Sequence, residues 1–158
     1  MASVAWMRRK RVIGVTVVGV ILFLVISALL TRALNVSDAE QAAITNLIRA
    51  ESGGDAAEAV SLVSGCSASA SCRTRVARIT RALERPGSIQ VIQFSASSNF
   101  SLGSTLGTAR VAWLAGSSLP RVQCVRVRHA GDVLAGFRIQ LLEVSDRIES
   151  DSSCPSRF

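Results

Sequence analysis

Residues Arg121 to Val144, RVQCVRVRHAGDVLAGFRIQLLEV, alternate apolar and polar side chains in two runs separated by a glycine-containing break. In Arg121 to His129, Val125 and Val127 oppose Cys124, Arg126 and Arg128. In Val133 to Val144, Val133, Ala135, Phe137, Ile139 and Leu141 oppose Arg138 and Gln140. A period of two marks strands that set one face on a core and the other in solvent. Between the runs, His129-Ala130-Gly131 suits a three-residue hairpin with Gly131 in the left-handed position. That register places Arg128 opposite Asp132 and Val127 opposite Val133, so His129 reads as a surface turn histidine and Asp132 as a residue of the same turn.

Working back along the chain, Thr105 to Leu114 points Ala109, Val111 and Trp113 one way and Arg110 the other. Ser88 to Ser95 is a further strand rich in β-branched residues (Ile89, Val91, Ile92), followed by a serine-rich loop or edge segment to Gly103. Before Gly87 the period is helical. Ser71 to Glu84 sets Val76, Ile79 and Leu83 on one face, with Arg73, Arg75, Arg78, Arg81 and Arg85 on the other, and Pro86-Gly87 stops it. Asp55 can cap a short helix through Leu62, and Gly53-Gly54 ends the helix before it. Ser37-Asp38-Ala39-Glu40 has the form of a capping box, opening an amphipathic stretch that carries Ala43, Ile44, Leu47 and Ile48. Helices first and strands after give a segregated α+β domain over residues 37–146, in which about three helices pack on a curved antiparallel sheet of about four strands.

Val12 to Thr31, VIGVTVVGVILFLVISALLT, is a 20-residue run without a charged side chain. As a helix it covers ~30 Å, the thickness of a hydrocarbon core. Arg8, Arg9, Lys10 and Arg11 precede it and Arg32 follows, an asymmetry that keeps a basic tail (1–11) in the cytoplasm and exports everything after a short linker (32–36). A cleaved signal peptide is the competing reading, but its apolar core is usually ~7–15 residues and ends at a small-x-small site. Here Thr31-Arg32-Ala33 puts arginine in the middle. The formal net charge of +7 follows the same division. Residues 35–158 hold thirteen arginines and all eleven acids, so the basicity belongs mainly to the anchor and does not indicate a nucleic-acid partner.

All four cysteines (Cys66, Cys72, Cys124, Cys154) fall on the exported side. An even count in a small exported domain reads as disulfides. Three pairings exist, and Cys66–Cys72 with Cys124–Cys154 is favoured: the first closes a loop before a helix, the second ties the tail (147–158) to the outer face of the sheet. A metal site is disfavoured by the lack of a CxxC and by the single histidine. No nucleophile elbow, HExxH or phosphate loop occurs, so the sequence offers no catalytic residue and implies no cofactor. Glu143 and Asp146 read as solvated residues at a strand end. Phe94, Trp113, Phe137 and Ile139 are candidates for a core or for the lining of a pocket between sheet and helices. Arg110, Arg126, Arg128 and Arg138 share the outer sheet face as a candidate basic contact surface.

The order of these elements carries a resemblance. The apolar helix, the amphipathic helix, the Gly53-Gly54-Asp55-Ala56-Ala57-Glu58-Ala59-Val60 turn-and-helix and the closing strand Phe137-Arg138-Ile139-Gln140-Leu141-Leu142 follow in sequence. Together they resemble the small membrane-anchored, exported proteins of actinobacteria with a cystatin-like or nuclear-transport-factor-2-like domain, among them proteins associated with mammalian-cell-entry transport systems. The resemblance implies a cone of sheet and helices that serves as a binding or assembly module; the Asp-His pairs of its isomerase members are not recognisable. The expected function is a non-catalytic single-pass envelope protein, anchored in the bilayer through residues 12–31, that presents a disulfide-braced domain to an envelope protein or a ligand. The alternative is a pocket-bearing domain that binds a small apolar ligand or lipid, with or without weak enzymatic activity.

Overall fold

The structure, a computed structural model of the full chain, describes the backbone of residues 2–97, 105–132, 136–149 and 152–156. Side chains are described for the same residues except 2–13, 15, 32–35, 132, 136 and 137. The chain divides into two compact units, Met1–Asn35 and Val36–Phe158.

The first unit is helical: α1 runs Ala2–Ser52 and so begins here. Its apolar side chains stand exposed on every side, among them Val17, Ile21, Phe23, Leu24 and Leu30. By length and composition this helix can cross a membrane, and none of its most apolar window is buried within the protein. The backbone stays helical through 32–36, where the sequence suggests a linker, and Ser37 does not open a new helix. No glycine or proline lies between Ile26 and Ser52, so nothing interrupts the backbone ladder there.

Within the second unit, the last turns of α1 bury one stripe: Glu40, Ile44, Leu47, Ile48 and Glu51. Gly54, at φ +77°, supplies the left-handed residue that ends the helix, and Asp55 N–H donates to the Ala50 carbonyl at 2.9 Å. Helix α2 (Ala56–Leu62) is capped by the Asp55 carboxylate, which accepts from Glu58 N–H at 2.9 Å. A 3-10 turn at Cys66–Ala68 leads into α3 (Ala70–Leu83), which buries Val76, Ile79, Thr80 and Leu83. The Cys66–Cys72 disulfide closes the turn onto the first part of α3.

Four strands follow as an antiparallel meander, in spatial order β1 (Ile89–Ser95), β2 (Thr105–Ala115), β3 (Arg121–Asp132) and β4 (Gly136–Val144). Ala109, Val111, Trp113, Val125, Val127 and Leu141 form the inner face and share one core with the buried stripes of the helices. Bulges between Val91 and Gln93 and between Arg126 and Val127 shift the register locally. The outer face is not all solvent-facing. Ile148 N–H donates to the Val122 carbonyl at 2.8 Å, and Cys124 is bonded to Cys154, so the tail covers Val122 and Cys124.

The hairpin between β3 and β4 corrects the sequence reading. His129, Ala130 and Gly131 are strand residues: His129 pairs with Ile139, Val127 with Leu141 and Asp132 with Gly136. The connection between Asp132 and Gly136 lies outside the described residues. The two registers differ by an even number of positions, so both put the same side chains on the same face, and alternation cannot separate them. What the shift changes is His129, which leaves the surface and is buried on the inner face.

The helix stripe is the main apolar contribution of α1 to this core. Leu47→Ala is expected to lower unfolding free energy by about 2–5 kcal/mol, and Leu106→Ala, on an exposed position of β2, by less than about 0.5 kcal/mol. Urea unfolding of the full chain in neutral detergent, followed by tryptophan fluorescence, measures both.

Candidate functional site

A carboxylate at Glu40 projects from α1, wholly buried, into the inner face of the sheet. Three donors meet it. Ser97 N–H donates to Oε1 at 2.7 Å, Ser97 Oγ donates to Oε2 at 2.9 Å, and His129 Nε2 lies 2.7 Å from Oε2. A carboxylate only accepts, so His129 carries its proton on Nε2. The backbone at Ser97 runs close beside β2, and a Cβ at Gly107 would collide with the Ser97 carbonyl. Glycine is required there for Ser97 to reach Glu40.

Ser, His and Glu in one cluster invite comparison with a catalytic triad. A triad uses the two imidazole nitrogens for different partners, one facing the acid and the other the nucleophile. Here Nε2 faces both: it sits 2.7 Å from Glu40 and 3.4 Å from Ser97 Oγ. Ser97 Oγ in turn donates to the carboxylate itself. The arrangement holds α1, β3 and the segment after β1 together and leaves no nucleophile primed. Sequence reasoning assigned Glu40 to a capping box and His129 to a turn. The signal available was a lone acid and a lone histidine, each on the parity or period of a buried face.

A second buried carboxylate lies three helical turns further along α1. Glu51 Oε2 accepts from Gln123 Nε2 at 3.0 Å; Gln123 Oε1 accepts from Trp113 Nε1 at 2.7 Å, and Gln123 Nε2 also faces the Ser145 carbonyl at 3.3 Å. Glu51 Oε1 has no partner among the described residues. Burial pushes the Glu51 carboxyl up to about 7, the Gln123 hydrogen bond opposes the rise, and the negative charge of Asp146 adds to it.

The other residues singled out from the sequence are dispersed. Trp113 is fully buried, and Phe94 and Ile139 pack on the core from its margin. The Phe137 side chain lies outside the described residues. The four outer-face arginines do not make one free surface. Arg126 pairs with Glu143 at 3.0 Å and donates to the Ser156 carbonyl, Arg110 Nε donates to the Ser152 carbonyl at 3.3 Å, and Arg128 and Arg138 are exposed. Asp146 is not a merely solvated strand end: Arg78 holds it by two hydrogen bonds, 2.8 and 2.9 Å. Both disulfides join the pairs favoured by the sequence, Cys66–Cys72 and Cys124–Cys154. Among the described residues, no three His, Cys, Asp or Glu side chains gather as metal ligands would.

Surface clefts among the described residues include the following two. One of 280 Å³ lies beside the Cys66–Cys72 bridge, and one of 840 Å³ lies between the ends of α1 and α3 and the start of β1. Neither is lined by Phe94, Trp113 or Ile139. The chain matches no protein-family model, no curated protein and no solved structure.

Two outcomes follow for the carboxylates. Removing one partner of a buried pair is the expensive change, so Glu40→Ala should cost about 3–5 kcal/mol, while the double change Glu40→Leu with His129→Leu recovers most of it. Denaturant unfolding of the native chain, the Glu40→Ala variant and the double variant measures both costs. For Glu51, the folded carboxyl binds its proton more tightly than the unfolded one, whose ordinary value is 4.5. Stability is therefore full below pH 4.5 and is lost as pH rises towards 7, by about 3 kcal/mol in all. Glu51→Gln should flatten that slope, leaving the variant more stable than the native chain at pH 8 when melting temperature is followed against pH.

Proposed function

We propose that this chain is a non-catalytic, single-pass membrane protein of the cell envelope, with the N-terminus in the cytoplasm and residues 36–158 outside. On this reading the extracytoplasmic domain is a rigid contact module for an envelope protein or a ligand. It belongs with the small anchored, exported actinobacterial proteins that its element order resembles.

The observation that carries the reading is the closed interior. Trp113 has no exposed surface, its indole N–H is bound by Gln123, and the Glu40, His129 and Ser97 polar groups bind one another. A domain built this way offers a partner its outside, since neither of the two clefts described above is lined by Phe94, Trp113 or Ile139. The compartment is supported independently. An apolar helix with four basic residues before it favours an N-in orientation, and two disulfides persist only where thiols are oxidised.

Topology reporters test the orientation. Alkaline phosphatase, which needs an oxidising compartment, should be active when fused after Phe158, and a cytoplasmic fluorescent reporter fused there should be dark. The opposite pattern overturns the reading. Replacing Arg8, Arg9, Lys10 and Arg11 by serine should produce a mixed population, because the charge bias that sets orientation is then removed. The contact role is tested by melting the full chain against a panel of apolar ligands and lipids, where no ligand should raise the melting temperature through the domain interior.

A further inference from the structure

The two disulfides differ in what surrounds them. Cys124 is fully buried, and Cys154, although partly exposed, belongs to the tail laid over the outer sheet face. Neither lines the clefts described above. Cys66 and Cys72 both line the 280 Å³ cleft. Cys66 is buried and Cys72 is partly exposed, so the bridge is approached from the Cys72 side. The mouth is made of small exposed residues, Ser64, Gly65 and Ser71, and a Cβ built on Gly65 would meet nothing within 4 Å. At 280 Å³ the cleft is smaller than the ~300–1,000 Å³ of small-molecule pockets and admits a side chain instead. Cys72 is the third residue of α3, in the turn at the positive end of the helix dipole, and no acid stands in that turn. Arg75 lines the same cleft, and Arg73 donates to the Ser67 carbonyl at 2.6 Å within the loop that the bridge closes. Glu143, also on the lining, is paired with Arg126 at 3.0 Å. The backbone on both sides of the bridge has other supports. Ser64 N–H donates to the Leu141 carbonyl at 2.7 Å, Ser69 N–H donates to the Cys66 carbonyl at 3.0 Å, and Val76, Ile79 and Leu83 seat α3 in the core.

We propose that the Cys66–Cys72 bridge is a thiol–disulfide exchange site, opened at Cys72 by a dithiol reductant while the domain stays folded. A thiolate of the reductant attacks Cys72 Sγ, the bond between the two cysteine sulfurs breaks, and its electron pair leaves on Cys66 Sγ, which takes a proton. The second thiolate of the reductant then attacks the reductant's own sulfur in the mixed disulfide, and Cys72 leaves as a thiolate. The bridge has gained two electrons and become two thiols; the dithiol has lost two electrons and become a disulfide, and its two protons end on Cys66 and Cys72. Access sends the first attack to Cys72, because Cys66 is buried. The second step leaves negative charge on the Cys72 sulfur, and the first turn of α3 with Arg75 beside it favours that charge. In the reverse direction Cys66 is the resolving thiol, six residues away in sequence and held in place by its own backbone hydrogen bonds. The Cys124–Cys154 bridge has no helix end beside it, and opening it releases the tail. The first bridge is therefore the exchangeable one and the second the structural one. The site draws on neither the Glu40 cluster nor the orientation of the anchor.

The test uses the full oxidised chain in neutral detergent micelles. It is titrated with dithiothreitol, quenched with iodoacetamide and read by peptide mass spectrometry, with tryptophan fluorescence recorded on the same samples. The Cys66–Cys72 bridge should open at a dithiothreitol concentration roughly tenfold below that for Cys124–Cys154, with the fluorescence of the buried Trp113 unchanged. Short alkylation of the half-reduced chain should label Cys72 before Cys66. Ser71→Phe, at an exposed position on the cleft mouth, should slow opening of this bridge severalfold and leave the other bridge and the melting temperature as they are. With glutathione disulfide as probe, Cys66→Ala should form a mixed disulfide at Cys72, whereas Cys72→Ala should form none at Cys66. The dithiothreitol titration needs no variant, so it decides the matter even where a cysteine variant fails to fold. Opening of both bridges at one concentration overturns the proposal, as does opening of Cys66–Cys72 only together with loss of the native fluorescence. Labelling of Cys66 before Cys72 overturns it as well.

Discussion

Two carboxylates buried on a single stripe of α1 decide where that helix lies on the sheet. Glu40 and Glu51 are eleven residues apart, so they recur on the same face after three turns, ~16 Å along the axis. Each meets a polar residue on the inner face of β3: Glu40 meets His129 and Glu51 meets Gln123. These partners are six residues apart, ~20 Å along an extended strand. Helix and strand thus run in opposite senses and are fastened at two points. Sliding the helix by one turn would take both carboxylates away from these partners and set them against the apolar inner face that Val125 and Val127 help form, where an unpaired carboxyl is heavily penalised. Apolar packing by itself tolerates such a slide far better, because hydrophobic contact is not directional.

The two fastenings differ chemically. Glu40 is saturated, with donors from a backbone N–H, a hydroxyl and an imidazole. Glu51 is under-served, with one oxygen unpartnered, which is why burial raises its proton affinity so far. The first serves as a structural latch and the second as a pH-dependent weak point, and both belong to the interior. What the domain offers its surroundings is therefore its surface. The tail covers part of the outer sheet face through Cys154.

Much of the architecture is legible without coordinates. Periods of two and of 3.6 locate β1, β2, the start of β3, α2 and α3 because each element buries one face, and the apolar run 12–31 stands out by length alone. Of three possible cysteine pairings, the one favoured by the closeness of Cys66 to Cys72 and by the reach of the tail to Cys124 is the one that forms. The polar interior was not legible. Glu40 fits the capping pattern beside Ser37, and His129 fits a turn beside Gly131, so each has a plausible local role that fails only when the other is placed.

The sequence by itself determined the classes of element, their order and the inward and outward faces of the strands, and it favoured one of three cysteine pairings. Those depend on side-chain period, backbone breakers and short separations, which are local. The tertiary structure alone decided the β3–β4 register, the continuity of α1 through residues 32–36 and the pairing of Glu40 with His129. An even-numbered register shift leaves every side chain on its own face, so alternation is blind to it. The register that forms keeps His129 in the strand, paired with Ile139, where it meets the buried Glu40 carboxylate across 89 positions of sequence.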